Sequence, residues 1–581
     1  MTIADLYLIR PSRYDDDGYP LQWWRSMVPS NSTACVSGLV RDCLARKALG
    51  DDVDMRIHEI DEANDFIDPK TIVARARTSG RQQVVFLIGV QSNQYPRALD
   101  LARPLRAAGI PVCIGGFHVS GCLSMLKTIP AELQEALDLG VSLFAGEAEE
   151  GRIDEVLRDA LGAGLKPIYN HLKSTPGLEG APIPLLHPET VARNFTGFSS
   201  FDLGRGCPYQ CSFCTIINVQ GRKSRFRSPD DLEAIIRQNA AIGISRFFLT
   251  DDNFARNKIW EPLLDRLIEL RADGLKVRLA VQVDTLAHRI PNFIDKCAKA
   301  GADQIFIGLE TINSDSLASA KKGQNRIEEY KTMVQAWKKR KIFLTAGYII
   351  GFPNDTYQSV MRDIDILKRE LALDTIYLNY LTPLPGSEDH RRMIDNGTWM
   401  DPDLNRYDLN HRVTHHPIMT DAEWEAAYRD AHASFYSWEH METIFRRMAG
   451  FKSQQKLTTI FNLVGYRESL LSENCARVES GLIRIKRRRQ RRSGLPLENP
   501  LIFYPRYFLH VANSAVRAAV TAYRLRRMLG RVLADPDRAS YRDAAMIEEG
   551  AGNDDSLVAV TRGGAEAAEH RRQVAAVTGR R

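Results

Sequence analysis

No run of this 581-residue chain approaches the ~18 apolar residues that a membrane-spanning helix needs, so no helical span is expected. A basic leader is missing too. Met1-Thr2-Ile3-Ala4-Asp5 runs directly into the strand-like Leu6-Tyr7-Leu8-Ile9, so no secretory signal is expected. The nine cysteines are an odd number and three crowd into one loop, which suits a reducing cytoplasm better than a disulfide framework. Acids are almost absent from residues 481–531, where thirteen Lys/Arg face Glu498 alone; an electrostatic partner belongs there, given a whole-chain net charge of only +6. What remains is an ordinary globular composition, 44% hydrophobic and 26% charged, in a chain long enough for two to four domains.

The crowded cysteines are Cys207, Cys211 and Cys214, in Gly204-Arg205-Gly206-Cys207-Pro208-Tyr209-Gln210-Cys211-Ser212-Phe213-Cys214. Thiolates bind soft metals and hold iron–sulfur clusters. Three of them at CxxxCxxC spacing can reach three corners of a cubane and leave its fourth iron open. A structural zinc site is the other reading; it needs a fourth ligand, and the next cysteine is Cys297.

Around this loop, strand-like runs alternate with helical ones. Arg246–Thr250, Val277–Val283, Gln304–Glu310, Ile342–Ile350 and Thr375–Leu381 read as strands; the helices between them include Pro229–Ile242, with Ser228 as its cap. Six β/α units suggest a partial parallel barrel, whose chemistry sits at the C-terminal strand ends. The cysteines, Asp251, Asp252, Gln282, Glu310 and Gly351 all fall there. Upstream, Leu6–Ile9, Val53–Ile60, Val84–Val90, Val112–Gly116 and Leu143–Glu147 alternate with helices at Ser37–Leu49, Arg97–Ala108 and Gly151–Leu161, implying a parallel sheet. Such a sheet binds ligands beyond its strands' carboxyl ends. The loops Gln91-Ser92-Asn93, Gly115-Gly116-Phe117-His118 and Gly146-Glu147-Ala148-Glu149 lie there, although a glycine after a strand is commonly just a turn.

The order of these motifs, over about residues 80–390, resembles the cobalamin-dependent radical S-adenosylmethionine (SAM) family. The resemblance implies an α/β fold with a Rossmann-like cobalamin-binding-type domain at 1–165, a linker at 166–195 and a partial (β/α)6 radical SAM barrel at 196–400. A helical region with a basic segment at 401–531 and a disordered tail at 532–581 are expected from composition. The resemblance also implies a [4Fe–4S] cluster on Cys207, Cys211 and Cys214, with SAM on the open iron and Phe213 beside it. Asp251 and Asp252 would meet the SAM amine, Glu310 its ribose or methionine, and Gln282, Tyr348 and Gly351 the rest of the pocket. Cobalamin would bind at Ser92, Gly115, Gly116, His118, Gly146 and Glu147. No DxHxxG is present, so its lower face is expected to lack a protein histidine; a domain that keeps the fold without the cofactor is the alternative.

The activity implied is reductive cleavage of SAM to a 5′-deoxyadenosyl radical, then C-methylation of an unactivated carbon, with a reductant such as flavodoxin or ferredoxin. A radical cyclase, oxidoreductase or rearrangement without methyl transfer is the second reading. A methylthiotransferase would need a second three-cysteine site, and Cys35, Cys43, Cys113 and Cys122 lack the spacing. A non-catalytic, membrane-associated binding protein is the reading of another class.

Two further stretches stand out. Asp15-Asp16-Asp17 and Trp23-Trp24 lie in one early loop region that lines a pocket or forms a lid. Trp424, Tyr428, Phe435, Trp438, Phe445 and Met448 make a helical stripe over Asp421–Gly450 and read as core, while His415-His416 reads as loop. Arg484–Arg492 and the aromatic Leu501–Leu509 suit an anionic membrane surface, with a basic helix packed on the core as the alternative. Charge alone also permits nucleic acid, but no recognition fold accompanies it. The expected setting is cytoplasmic, peripheral to the inner membrane face, with a small-molecule or lipid-like substrate.

Overall fold

The structure, a computed structural model, describes residues 2–547 and Leu557. The first domain is a six-stranded, wholly parallel sheet. Its strands run in the order Val53–Asp61, Thr2–Arg10, Gln82–Leu87, Val112–Gly115, Ser142–Ala145, Ile168–Asn170. Alternation along the strand Thr2–Arg10 separates two cores: Leu6 and Leu8 pack on one face, Tyr7 and Ile9 on the other. The sixth strand lies within the expected linker. Three residues at a sheet edge are too few to display a period, so composition alone read 166–195 as linker.

The second domain is an open half-barrel of six parallel strands: Phe198–Phe201, Arg246–Leu249, Arg278–Val283, Ala302–Glu310, Phe343–Ile350 and Thr375–Tyr380, side by side in chain order. Helices cover its outer face and share one core with the C-terminal helices. The expected helix Asp421–Gly450 is two, Asp421–Phe435 and Trp438–Gly450, because Ser437 caps the second through the His440 amide. Trp424, Tyr428, Phe435, Phe445 and Met448 are buried, and Trp438 is partly so.

The acidic loop and the basic segment explain one another. The strand Gly481–Ile485 pairs antiparallel with Gln22–Ser26, bringing Arg484 to Asp15 at 2.8 Å and Lys486 to Asp15 and Asp17 at 2.8 and 2.9 Å. Arg492 reaches Asp403 at 2.7 Å. The Arg484–Arg492 membrane contact expected above is therefore corrected for these side chains: Arg484 is 2% exposed and several charges face protein carboxylates. The long helix Pro500–Ala534 follows.

The expected disorder from 532 is corrected as far as 547. Gln335 donates to the carbonyls of Ala545 and Ile547, Arg447 meets Asp543 at 2.7 Å, and Ala545 and Met546 are buried. Their apolar side chains reach the core despite the polar composition around them. The rest of that expectation, Leu557 apart, lies outside the described residues.

Candidate active site

The cysteine loop follows the first barrel strand, Phe198–Phe201, and two carboxylates from the end of the second hold its backbone. Asp251 accepts the Leu203 amide at 2.7 Å and Asp252 the Gly206 amide at 2.8 Å. Burial pushes these carboxyls up, to about 8 and about 6. Both acids thus face the loop's main chain. Tyr209, between the first two cysteines, donates to Asp284 at 3.0 Å, and Arg256 clamps the same carboxylate at 2.5 and 2.8 Å. The loop is fastened to the ends of the second and third strands before any ligand binds.

Cys211 is buried, Cys207 and Cys214 are partly exposed, and none is in a disulfide. Among the described residues, His118, Cys122 and Glu132 are the group of three donor atoms gathered within 4.8 Å of one another. The three loop thiols stand wider than that. Ligands on one tetrahedral zinc ion, at about 2.3 Å bonds, would be closer. Three separated thiols with no fourth donor gathered to them among the described residues fit three corners of a cluster. Gln324 donates to Cys211 Sγ at 3.5 Å.

Opposite the thiols, Glu310 closes its strand with φ +66° and pairs with Lys322. Burial would lower the Lys322 pKa, but Glu310 and then Cys211 favour its charge, and the net shift is upward. Lys322 Nζ lies 5.7 Å from the Phe213 ring centre, and Phe213 packs against Ala320, Ile349 and Phe352. This places an ammonium and a carboxylate beside an apolar wall at the mouth of the barrel.

Gln282 lies on the strand face opposite Leu279, Val281 and Val283, which are buried in the core, and so points to the barrel interior. Tyr348 does not. It packs with Leu344, Ala346 and Ile350 toward the helices, with its hydroxyl 3.4 Å from Asp363; the interior face carries Gly347 and Ile349. Gly351 has φ +111°, and a Cβ there would fall 2.2 Å from the Trp424 indole, whose Nε1 donates to the Ile350 carbonyl at 3.2 Å. It serves helix packing. The expectation for Tyr348 is corrected on these grounds.

The loops of the first domain lie together at the carboxyl edge of its sheet. Gly116 (φ +146°) leaves no notch: a Cβ there would meet the Val90 amide nitrogen at 2.2 Å, so the chain's own backbone fills the space. Gly115 lies against Phe144, and Gly146 against His171. His118 is fully buried, bonded to Ser92 Oγ at 3.1 Å, and burial lowers its pKa to about 3. It turns inward, which corrects its place among loop-edge ligands. Glu147 reaches out of the domain, to Arg205 at 2.6 Å and Arg225 at 2.5 Å. Arg205 also meets Glu149 at 2.7 Å and Asp202 at 3.1 Å. Burial would raise the Asp202 carboxyl, yet Arg205 and Arg227 hold it well below the usual range. At this edge Asn93 Oδ1 and Glu149 Oε2 are buried without a hydrogen-bond partner. Unpaired acceptors suit a cofactor rimmed with amide donors, so the edge fits cobalamin, without a histidine from His118. Arg205, Arg225, Lys322 and Gln324 were not singled out from the sequence; Arg205, between the glycines preceding Cys207, carried the one available signal.

Residues 202–367 match the Radical SAM superfamily, and the fold and the cysteine loop define this part as a radical SAM domain. That domain class uses a [4Fe–4S] cluster and SAM. The chain is 27% identical over 313 residues to the bacteriochlorophyllide d C-12(1)-methyltransferase of Chlorobaculum tepidum, spanning 53% of this chain and 64% of that protein. It is 24% identical over 380 residues to the hopanoid C-2 methylase of Rhodopseudomonas palustris, 64% of this chain and 68% of that one. The cobalamin-dependent SAM radical enzyme OxsB, solved with aqua-cobalamin and SAM bound, superposes with a TM-score of 0.54 at 14% identity, covering 94% of this chain and 82% of that one. Both domains thus share the fold of cobalamin-dependent radical SAM enzymes.

Proposed function

We propose that this chain is a cobalamin-dependent radical SAM C-methyltransferase acting on an unactivated carbon. The observation that carries the reading is the junction of Glu147 with Arg205 and Arg225, which ties the ligand edge of the first sheet to the cysteine loop of the second. The cluster and cobalamin supply, when bound, the electron that cleaves SAM and the methyl group that is transferred. Cys207, Cys211 and Cys214 hold the cluster. Lys322 and Glu310 offer opposite charges to the carboxylate and ammonium of SAM's methionine part. Phe213, Ile349 and Phe352 exclude water beside them. Ser92, Asn93, Gly146 and Glu147 would line the cobalamin side. The relatives named above act on a tetrapyrrole and on a hopanoid, so likeness alone does not select the substrate.

The test is the product profile of anaerobically reconstituted protein given SAM, a low-potential reductant and cobalamin. S-adenosylhomocysteine and 5′-deoxyadenosine forming together support methyl transfer; 5′-deoxyadenosine alone points to radical chemistry without it.

Of the basic segment, the helix Pro500–Ala534 keeps the membrane reading. This helix has six arginines and no acid. Phe503, Thr521, Leu525 and Met528 face the protein, while Leu501, Phe508, Leu509, Val516, Val520 and Tyr523 are exposed. An amphipathic surface helix normally turns charge outward; here an apolar row flanked by arginines faces out, which suits an anionic bilayer surface. Among the described residues no helix is long and apolar enough to cross a membrane. Flotation with anionic vesicles at low salt, and its absence with neutral vesicles, tests this contact.

A further inference from the structure

Among the described residues, a close group of metal-type donors lies outside the cluster loop. His118 and Cys122 stand one turn apart on the helix Phe117–Met125, and Glu132 enters from the first turn of the helix Ala131–Asp138. Their donor atoms lie within 4.8 Å of one another, with His118 Nε2 3.7 Å from a Glu132 oxygen. We propose that these three side chains bind one zinc ion, independently of the cluster and of cobalamin.

His118 is 0% exposed, and its Nε2 has no hydrogen-bond partner. Its Nδ1 is engaged with Ser92 Oγ at 3.1 Å. With Nδ1 donating to that hydroxyl, the lone pair sits on Nε2 and points at the other two donors. A metal-binding histidine commonly has this arrangement, with its second nitrogen held by a neighbouring acceptor. The Tyr95 ring packs 4.4 Å from the imidazole, and its hydroxyl donates to the Glu132 carbonyl at 2.9 Å, so one residue braces two ligands. One sulfur, one imidazole nitrogen and one carboxylate oxygen form a set that zinc takes readily. Zinc bonds of about 2.0–2.3 Å put neighbouring ligands within about 4 Å, so small side-chain movements close the site. The Glu132 side chain is 32% exposed, which leaves an entry and a place for water as fourth ligand. The ion would join two helices directly behind Ser92 and fix that hydroxyl at the ligand edge of the sheet.

The experiment uses full-length, cluster-loaded protein stripped with a chelator and titrated with zinc against a chromophoric competitor. One zinc per chain is expected, with affinity at least tenfold weaker in Cys122→Ser and in Glu132→Gln. Zinc-edge absorption should give one sulfur near 2.3 Å with nitrogen and oxygen near 2.0–2.1 Å. Glu132→Gln, at a partly exposed position, keeps the test decisive should Cys122→Ser fail to fold. No zinc uptake, or uptake equally tight in the folded variants, overturns the proposal; the latter would mark zinc held at another site.

Discussion

Arg205 Nη1 lies 2.6 Å from Glu147 Oε2, joining the residue two before Cys207 to the last loop of the first sheet. Three arginines (205, 225 and 227) and three carboxylates (147, 149 and 202) share this buried junction. Removing one member of such a set leaves a buried charge unpaired, at about 3–5 kcal/mol. Glu147→Gln should therefore lower stability by about that amount. It should also reduce S-adenosylhomocysteine more than 5′-deoxyadenosine, because the cluster loop keeps Asp251, Asp252 and Asp284. Equal loss of both products would show that the junction does not set the spacing between the domains.

Tyr348 and Ile349 point to opposite faces of the fifth barrel strand, and Gly351 follows its end. Tyr348→Phe should leave SAM cleavage unchanged, since the hydroxyl points at Asp363 among the helices. Gly351→Ala should destabilise the protein, through both the clash with Trp424 and a φ of +111°, by about 1–3 kcal/mol. Thermal melts and 5′-deoxyadenosine yield measure both. A drop in SAM affinity with normal stability in Tyr348→Phe would return that residue to the pocket.

His411 predicts a pH dependence. Burial would lower its pKa, but Asp16 and Asp408 raise it to about 9. The folded value lies above the ordinary 6.5 or so. The stabilisation is thus fully present below pH 6.5 and is lost as pH rises through 9, a change on the order of 3 kcal/mol. Denaturant melts from pH 6 to 9.5 should show the decline, and His411→Gln should flatten it. An unchanged slope in the variant would assign the titration elsewhere.

The basic segment and the long helix predict opposite outcomes. Arg484→Ala should destabilise the fold, because Asp15 and Glu473 lose a buried partner, and leave vesicle binding of the folded fraction intact. Leu501→Ser combined with Phe508→Ser and Leu509→Ser should abolish flotation with little change in stability, since all three are exposed. The reverse pattern would restore Arg484–Arg492 as the membrane contact.

The strands and the cysteine loop were legible because they are local: apolar runs of four to nine residues, glycine turns and three thiols within eight residues. Which face a strand residue occupies was not. Tyr348 and Ile349 both lie in an apolar run, and only the packed helices decide which points inward. Long-range pairing was also hidden. Glu147 and Arg205 are 58 residues apart, and Asp15 and Arg484 are 469 apart, so the acidic loop and the basic segment each read as a separate surface feature. Arg484–Arg492 suggested a membrane because charge without a visible partner implies an external one.

On the proposed function, Cys207, Cys211 and Cys214 hold the cluster that cleaves SAM. The most direct measurement is 5′-deoxyadenosine formed from SAM under reduction by the reconstituted full-length protein, compared with Cys211→Ala and Cys297→Ala. Cys297 is a fully buried helix thiol of the outer core. The wild type and folded Cys297→Ala should form 5′-deoxyadenosine and Cys211→Ala none; undiminished 5′-deoxyadenosine from Cys211→Ala would show that the three thiols do not hold the cluster.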